Sequence, residues 1–456
     1  MAIGGAQPPA GSRIPPDSEI RAILMQRVDE FHQSVGIVVG MIGPDGRKTI
    51  GYGAPQKGDP RVVNGDTIFE IGSVTKVFTS LLLSDMVQRG QVALTDPVSK
   101  CLPAGVTVPQ RNGKQITLQD LATHTSGLPR LPSNLKPKDL ANPYANYSVA
   151  QLYEFLSSYQ LPRDIGSEYE YSNLGGGLLG HVLALRAGTD YEALVRARIT
   201  GPLDMKSTGI ALPLEMQARM AAGHDGKLNR AANWDLPTLA GAGALRSTAN
   251  DMLAFLAANL GYGPSPLAPA MAAMLHVRRP TGTPGLDVAL AWHIYSKPAG
   301  DTVIWHNGGT GGYRSFIGYD PRTRIGVVVL ANAGTTAGVD DIGLHLLNAE
   351  APLLTASAFL PAKERKAVAV DPKLFDRYAG RYQLAPNFVL AITREGDRLF
   401  APATGQPKLE LFAEGGNEYF LKVVDAQITF EVDAGGAVNQ LVLHQAGRNV
   451  PAKRID

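Results

Sequence analysis

The order of its periodic segments limits this chain more than any other feature, because strand-forming runs stand at both ends of a long helical middle. Near the start, Asp17 or Ser18 can cap a helix whose apolar residues Ile20, Ile23, Leu24, Val28 and Phe31 recur at three- and four-residue spacing, ending before Gly36. Ile37 to Ile42 reads as a buried strand, Pro44-Asp45-Gly46 as a turn, and Lys48 to Tyr52 as the returning strand. Helical patterns then run from Ser73 to Gln88 and onward from Leu118, Ala150, Gly176, Tyr191 and Ala249. The character changes near Ala289, where the runs Ala289 to Tyr295, Thr302 to Trp305, Ser315 to Tyr319 and Ile325 to Asn332 all read as strands. Strands, then helices, then strands imply an α/β chain of the α+β kind: an antiparallel sheet covered by helices, with the middle forming an α-helical lobe. A site belongs in the crevice between lobe and sheet.

A helix through His345 and Leu346 closes this part, so residues 17–355 are expected to form one domain behind a flexible Gly-, Ala- and Pro-rich N-terminus, residues 1–16. Residues 356–371 carry Pro361 and several charges without periodicity and read as a linker. From 372 to 456 come short alternating runs such as Ile428 to Val432 and Leu441 to Leu443, punctuated by Glu395-Gly396-Asp397, Gly415-Gly416 and Gly435-Gly436. That spacing predicts a small antiparallel β-barrel.

Composition removes several function classes. With 43 Lys and Arg against 41 Asp and Glu the net charge is +2, and no run of like charge offers a footprint for nucleic acid. No apolar stretch reaches the roughly 18 residues of a membrane span. Cys101 is the single cysteine, so neither an internal disulfide nor a cysteine-based zinc site can form. The nine histidines show no ligand spacing, and neither metal nor cofactor is expected. The compartment stays open between cytoplasmic and periplasmic or secreted with the signal removed, with a slight preference for the periplasm; a homo-oligomer is also left open.

Three motifs carry chemistry. Ser73-Val74-Thr75-Lys76 opens an apolar helix, and residues three apart share a helix face, so the Lys76 amine can reach the Ser73 hydroxyl. Tyr171-Ser172-Asn173 can supply a phenol lowered in pKa by neighbouring donors to act as base, together with an amide that bonds lysine and substrate. Trp305-His306-Asn307-Gly308-Gly309 is a strand ending in glycines, whose edge can turn backbone N–H groups on an oxyanion. Taken singly, a helix cap, a turn and a glycine-rich bend explain each. The run Gly175-Gly176-Gly177-Leu178-Leu179-Gly180 lacks a P-loop lysine and is read as close helix packing.

In this order the three motifs resemble those of the serine β-lactamase and penicillin-binding protein superfamily, above all its class C β-lactamase-like branch. The stretches Leu121 to Leu128, Gly201 to Met205, Arg246 to Met252 and Val327 to Asn332 extend the resemblance over roughly residues 20–345. It implies that Ser73 is the acylated nucleophile, that Lys76 and Tyr171 exchange its proton, and that Asn173 orients Lys76 and the substrate amide. The oxyanion hole would be the backbone N–H groups of Ser73 and Gly309, with His306, Gly308 and Gly309 on the substrate. His306 stands where class C enzymes carry lysine, as in the H-x-G type D-aminopeptidases and β-lactamase-like esterases. The resemblance therefore implies hydrolysis of small-molecule esters, amides or peptides, with weak turnover of β-lactams; a slowly deacylating penicillin-binding protein or sensor is the alternative. The segment opened by Tyr378-Ala379-Gly380-Arg381-Tyr382 resembles the lipocalin-like domain appended to several members of the group.

Overall fold

A computed structural model of the chain describes residues 14–296, 302–359, 365–385, 388–403, 408–422, 426–433, 435–445 and 448–456. Most of the expected flexible N-terminus, and residues 360–364 of the expected linker, lie outside them. The chain divides into two compact units, Met1–Leu353 and Leu354–Asp456.

The first unit is built on an eight-stranded antiparallel sheet. Its strands are β1 (Gly36–Gly43), β2 (Gly46–Gly53), β3 (Arg279–Pro280), β4 (Leu286–Val288), β5 (His293–Ser296), β6 (Thr302–Gly309), β7 (Arg314–Asp320) and β8 (Ile325–Ala331), in the order β2-β1-β8-β7-β6-β5-β4-β3. The two ends of the unit thus meet where β1 pairs β8, Ile37 opposite Ala331 and Met41 opposite Val327. Side chains alternate across the strands and divide the interior. Ile37, Val39, Met41, Phe316, Val327 and Val329 pack on one face with Ile20 and Leu24 of α1 (Asp17–Met25) and with Ile342 and Leu346 of a C-terminal helix. Val38, Ile42, Ile317, Val328 and Leu330 join the larger core of the lobe on the other.

The continuous run expected from Ala289 to Tyr295 is broken. Leu286–Val288 and His293–Ser296 are separate strands joined by a tight turn in which the Ala289 N–H donates to the Trp292 carbonyl at 2.7 Å. Ala291 takes φ 64° there, which a continuous strand does not allow. Apolar content predicted the burial of this segment and missed its turn, because Ala and Leu carry none of the usual turn signals.

In the lobe, α2 (Thr75–Gln88) is buried from Thr75 to Met86, its polar residues Thr75, Lys76, Thr79, Ser80, Ser84 and Asp85 included. It crosses α3 (Asn173–Ala187), which Ser172 caps by accepting from the Gly175 N–H at 2.8 Å. The glycine run on α3 serves close packing: a Cβ on Gly177 would stand 2.7 Å from Leu239 Cβ, and one on Gly180 would stand 2.8 Å from Gly241 Cα.

The second unit is a closed barrel of eight strands, from Gly380–Ala385 to Arg448–Arg454, each paired antiparallel to its neighbour in sequence. Tyr378, Tyr382, Tyr419 and Phe430 fill its interior, with the Tyr378 and Phe430 rings stacked at 4.2 Å.

Candidate active site

Ser73 stands where the short strand Ile68–Glu70 turns into α2 through one 3-10 turn, Gly72–Val74. Gly72 has φ 49°, a backbone conformation that suits glycine, and a Cβ there would meet the Gly309 nitrogen at 2.6 Å. From the opposite side, a Cβ on Gly308 would lie 2.1 Å from the Ile71 carbonyl oxygen and 3.0 Å from the Ser73 nitrogen. These contacts bring the backbone nitrogens of Ser73 and Gly309 to one place. Strand β6 pairs with β5 only as far as Trp305, so beyond it the side of β6 away from β7 becomes a local edge beside Ser73.

Lys76 is buried one helical turn on from Ser73. Its Nζ lies 3.1 Å from Ser73 Oγ, 2.9 Å from Asn173 Oδ1 and 2.7 Å from the Ala242 carbonyl oxygen. Burial first, and the charge of Arg130 second, hold its ammonium well below the ordinary 10.5. Asn173 spends its other end on Tyr144, donating from Nδ2 to the phenol oxygen at 3.4 Å.

Tyr171 lies with its ring 4.8 Å from Lys76 Nζ and 5.2 Å from the Arg130 guanidinium. The expected lowering of its pKa is not what the surroundings produce. Burial outweighs the help from Ser73 and Arg130 and pushes the phenol up to about 12, so it is neutral at pH 7.

Behind Tyr171 stand three buried histidines. The His124 ring is 4.5 Å from that of Tyr171, and its Nδ1 accepts from the Ser172 N–H, tying the loop after Leu121 to the Tyr-Ser-Asn segment. His306 is 0% exposed, packs against His293 at 5.2 Å and uses Nδ1 on the Asn307 carbonyl. Burial and the nearby His293 and Lys76 charges hold it well below 6.5. It is a neutral ring beneath the site and is not among the residues lining the crevice.

That crevice has a volume of 610 Å³ and includes Ser73, Tyr171, Asn173, Gly308 and Gly309 in its lining, so five of the seven expected site residues meet there. Lys76 bonds Ser73 from below, and only His306 is set apart. Sequence reasoning missed Arg130, Tyr144 and Asp340 and gave no role to Asn307 of the third motif, and all four stand in the walls. The signal for Arg130 was its place: it stands two residues after the Leu121 to Leu128 stretch, separated from it by Pro129. Asp340 receives a hydrogen bond from Asn307 Nδ2, and burial raises its carboxyl to about 6. Among the described residues, no group of three or more His, Cys, Asp or Glu side chains is placed to hold a metal.

An antiparallel sheet with a helical lobe and a serine and lysine at its crevice is the framework of the serine β-lactamase and penicillin-binding protein superfamily, and this protein is a hydrolase of that type. The chain belongs to the Beta-lactamase family, whose profile matches residues 24–350. Residues 364–453 match a domain of unknown function, DUF3471. The chain is 31% identical over 315 residues to the D-alanyl-D-alanine-carboxypeptidase/endopeptidase AmpH of Escherichia coli (strain K12), covering 66% of this chain and 80% of that one. A penicillin-binding protein of Bacillus subtilis (strain 168) is 24% identical across 94% of this chain and 97% of its own. Among solved structures, a class C β-lactamase from Rhodobacter sphaeroides superposes with a TM-score of 0.63 at 27% identity, over 72% of this chain and 98% of that chain.

Proposed function

We propose that the protein hydrolyses amide, peptide and ester bonds through an acyl-Ser73 intermediate, with uncharged Lys76 as the base. One observation carries the reading: the three partners of Lys76 Nζ. Asn173 Oδ1 and the Ala242 carbonyl can only accept, and a neutral amine has two N–H groups for them. Its lone pair is then left for the one partner able to donate, the Ser73 hydroxyl. The depressed lysine pKa supports the same protonation state.

Ser73 Oγ adds to the substrate carbonyl as its proton passes to Lys76, and the oxyanion forms against the Ser73 and Gly309 N–H groups, a term worth about two to three powers of ten per donor. The C–N or C–O bond then breaks, and the leaving atom takes the proton from Lys76 by way of the neutral Tyr171 hydroxyl. Water repeats the sequence on the acyl-enzyme, giving a carboxylic acid and free Ser73. Relatives named as a D-alanyl-D-alanine-carboxypeptidase/endopeptidase and as β-lactamases support this reaction class. His306, buried and neutral where a lysine would offer charge, supports peptides and esters over β-lactams as substrates.

The test is intact-mass spectrometry with a fluorophosphonate, p-nitrophenyl acetate, nitrocefin and N-acetyl-D-alanyl-D-alanine. A label on Ser73, lost in Ser73→Ala, with steady turnover of the ester or the dipeptide is the expected result. An unlabelled Ser73 in folded protein overturns the reading, and a label that persists without turnover assigns a slowly deacylating binder instead.

A further inference from the structure

The crevice and the residue beneath its serine carry three basic side chains, Lys76, Arg314 and Arg130, and two of them are already engaged. Lys76 is held by Ser73, Asn173 and Ala242. Arg314 donates to the carbonyls of Thr335, Thr310, Tyr313 and Gly334 and stands beside the Asp340 carboxylate. Arg130 is different. Its side chain is exposed in the crevice wall and, among the described residues, makes no ion pair and donates no hydrogen bond.

Its backbone, by contrast, is fixed. The Arg130 carbonyl accepts the Asn173 N–H at 3.0 Å and the Leu174 N–H at 3.2 Å, and the preceding Pro129 carbonyl accepts from Ser172 Oγ at 2.7 Å. The arginine therefore belongs to a loop whose backbone is pinned to the N-terminus of α3, the end that presents Asn173. Its charge acts on Lys76, His124, Tyr144, Tyr169 and Tyr171, which places the guanidinium beside the reacting groups rather than at a distant rim.

The mechanism fixes which part of a substrate lies there. A leaving group must take a proton from the Lys76 and Tyr171 side, so it departs past the Tyr171 phenol, whose ring is 5.2 Å from the guanidinium. On the β6 side, the position expected to offer positive charge holds a buried neutral histidine, and the wall presents Asn307 and the Asp340 carboxyl. An anion is disfavoured near Asp340 and met by an unpaired, bidentate-capable donor near Tyr171.

We propose that Arg130 is a specificity-determining residue that pairs with a carboxylate on the substrate's leaving group, directing the enzyme to bonds whose departing part is an amino acid with a free α-carboxylate. This rests on the acyl-Ser73 reading above. A charge-assisted pair at a partly desolvated wall of this kind is worth about one power of ten or more in discrimination.

The experiment compares N-acetyl-D-alanyl-D-alanine with its C-terminal amide, as kcat/KM where they turn over and as inhibition constants against p-nitrophenyl acetate hydrolysis where they do not. The wild type favours the acid; the acid-to-amide ratio falls about tenfold or more in Arg130→Leu, is partly kept in Arg130→Lys and inverts in Arg130→Glu. A ratio in Arg130→Leu within about twofold of the wild type, or a wild type indifferent to the carboxylate, overturns the proposal. Fluorophosphonate labelling of Ser73 in each variant separates the two failures: label present with an unchanged ratio removes the Arg130 role, whereas no label in wild type removes the acyl-enzyme itself.

Discussion

Gly176 makes the room in which Lys76 works, and replacing it with alanine separates rate from stability. A Cβ at this position would lie 2.9 Å from Lys76 Cε and 3.2 Å from both Cδ and Cγ, so the lysine stem must move. On a free side chain such a shift is cheap, but here Nζ is held at three points, 3.1, 2.9 and 2.7 Å from its partners. Alanine gains about 1 kcal/mol of helix propensity over glycine inside α3, while the crowding costs about 1–3 kcal/mol. The net effect on folding is a loss of about 0–2 kcal/mol. Catalysis has no such offset: moving the base by about 1 Å costs about 10²-fold in rate. Gly177→Ala is the contrast, because the three atoms its Cβ would meet first all belong to Leu239, at 2.7 to 2.9 Å, and not to the Lys76 stem. Urea unfolding beside p-nitrophenyl acetate kinetics should show Gly176→Ala losing rate out of proportion to stability and Gly177→Ala losing stability first. A folded Gly176→Ala enzyme within about threefold of wild-type kcat/KM would refute the argument that the position of Lys76 limits the reaction.

Two further outcomes follow from the charges at the site. Because the base must be neutral and burial lowers the Lys76 pKa, kcat/KM should rise along one acidic limb placed well below pH 10.5; with the Tyr171 phenol at about 12, the profile stays flat to pH 9, and an alkaline fall below pH 9 that Tyr171→Phe removes would contradict the neutral phenol. Asp340 is a carboxyl raised from 3.8 to about 6, so the folded state prefers its protonated form: the penalty is absent below about pH 4, grows between 4 and 6, and reaches at most about 3 kcal/mol above that. Asp340→Asn should therefore raise the Tm at pH 8 and leave it nearly unchanged at pH 4, as differential scanning fluorimetry at the two pH values would show; equal shifts at both would mean the carboxyl is not strained by burial.

What the residues revealed beforehand follows from how local each signal is. Ser73 and Lys76 were legible because a helix turn is a short-range geometry, and the β6 glycines because backbone approach leaves a mark in composition. The strand pairing of the two ends was legible only as a class, since nothing in Ile37 to Ile42 names Ile325–Ala331 as its partner. Arg130, Tyr144 and Asp340 lie in or next to loops without period, and their convergence is a product of tertiary packing. One property was read in the wrong sense: the pKa of Tyr171 was argued from neighbouring donors, whereas the amount of surrounding protein decides it, and burial depth is the least local quantity of all.

The sheet's division of the interior also sets how such a site can change over time. Lys76 rides on a helix set in the lobe core and Ser73 on the 3-10 turn that leads into it, while Asp340 opens the helix Asp340–Leu347, whose Ile342 and Leu346 belong to the other core across the strands. Residues without shared contacts respond nearly independently to substitution. One wall of the crevice can thus be reshaped from beneath while the nucleophile and its base keep their packing, so new substrates can be reached by drift on the α1 side of the sheet with the chemistry left in place.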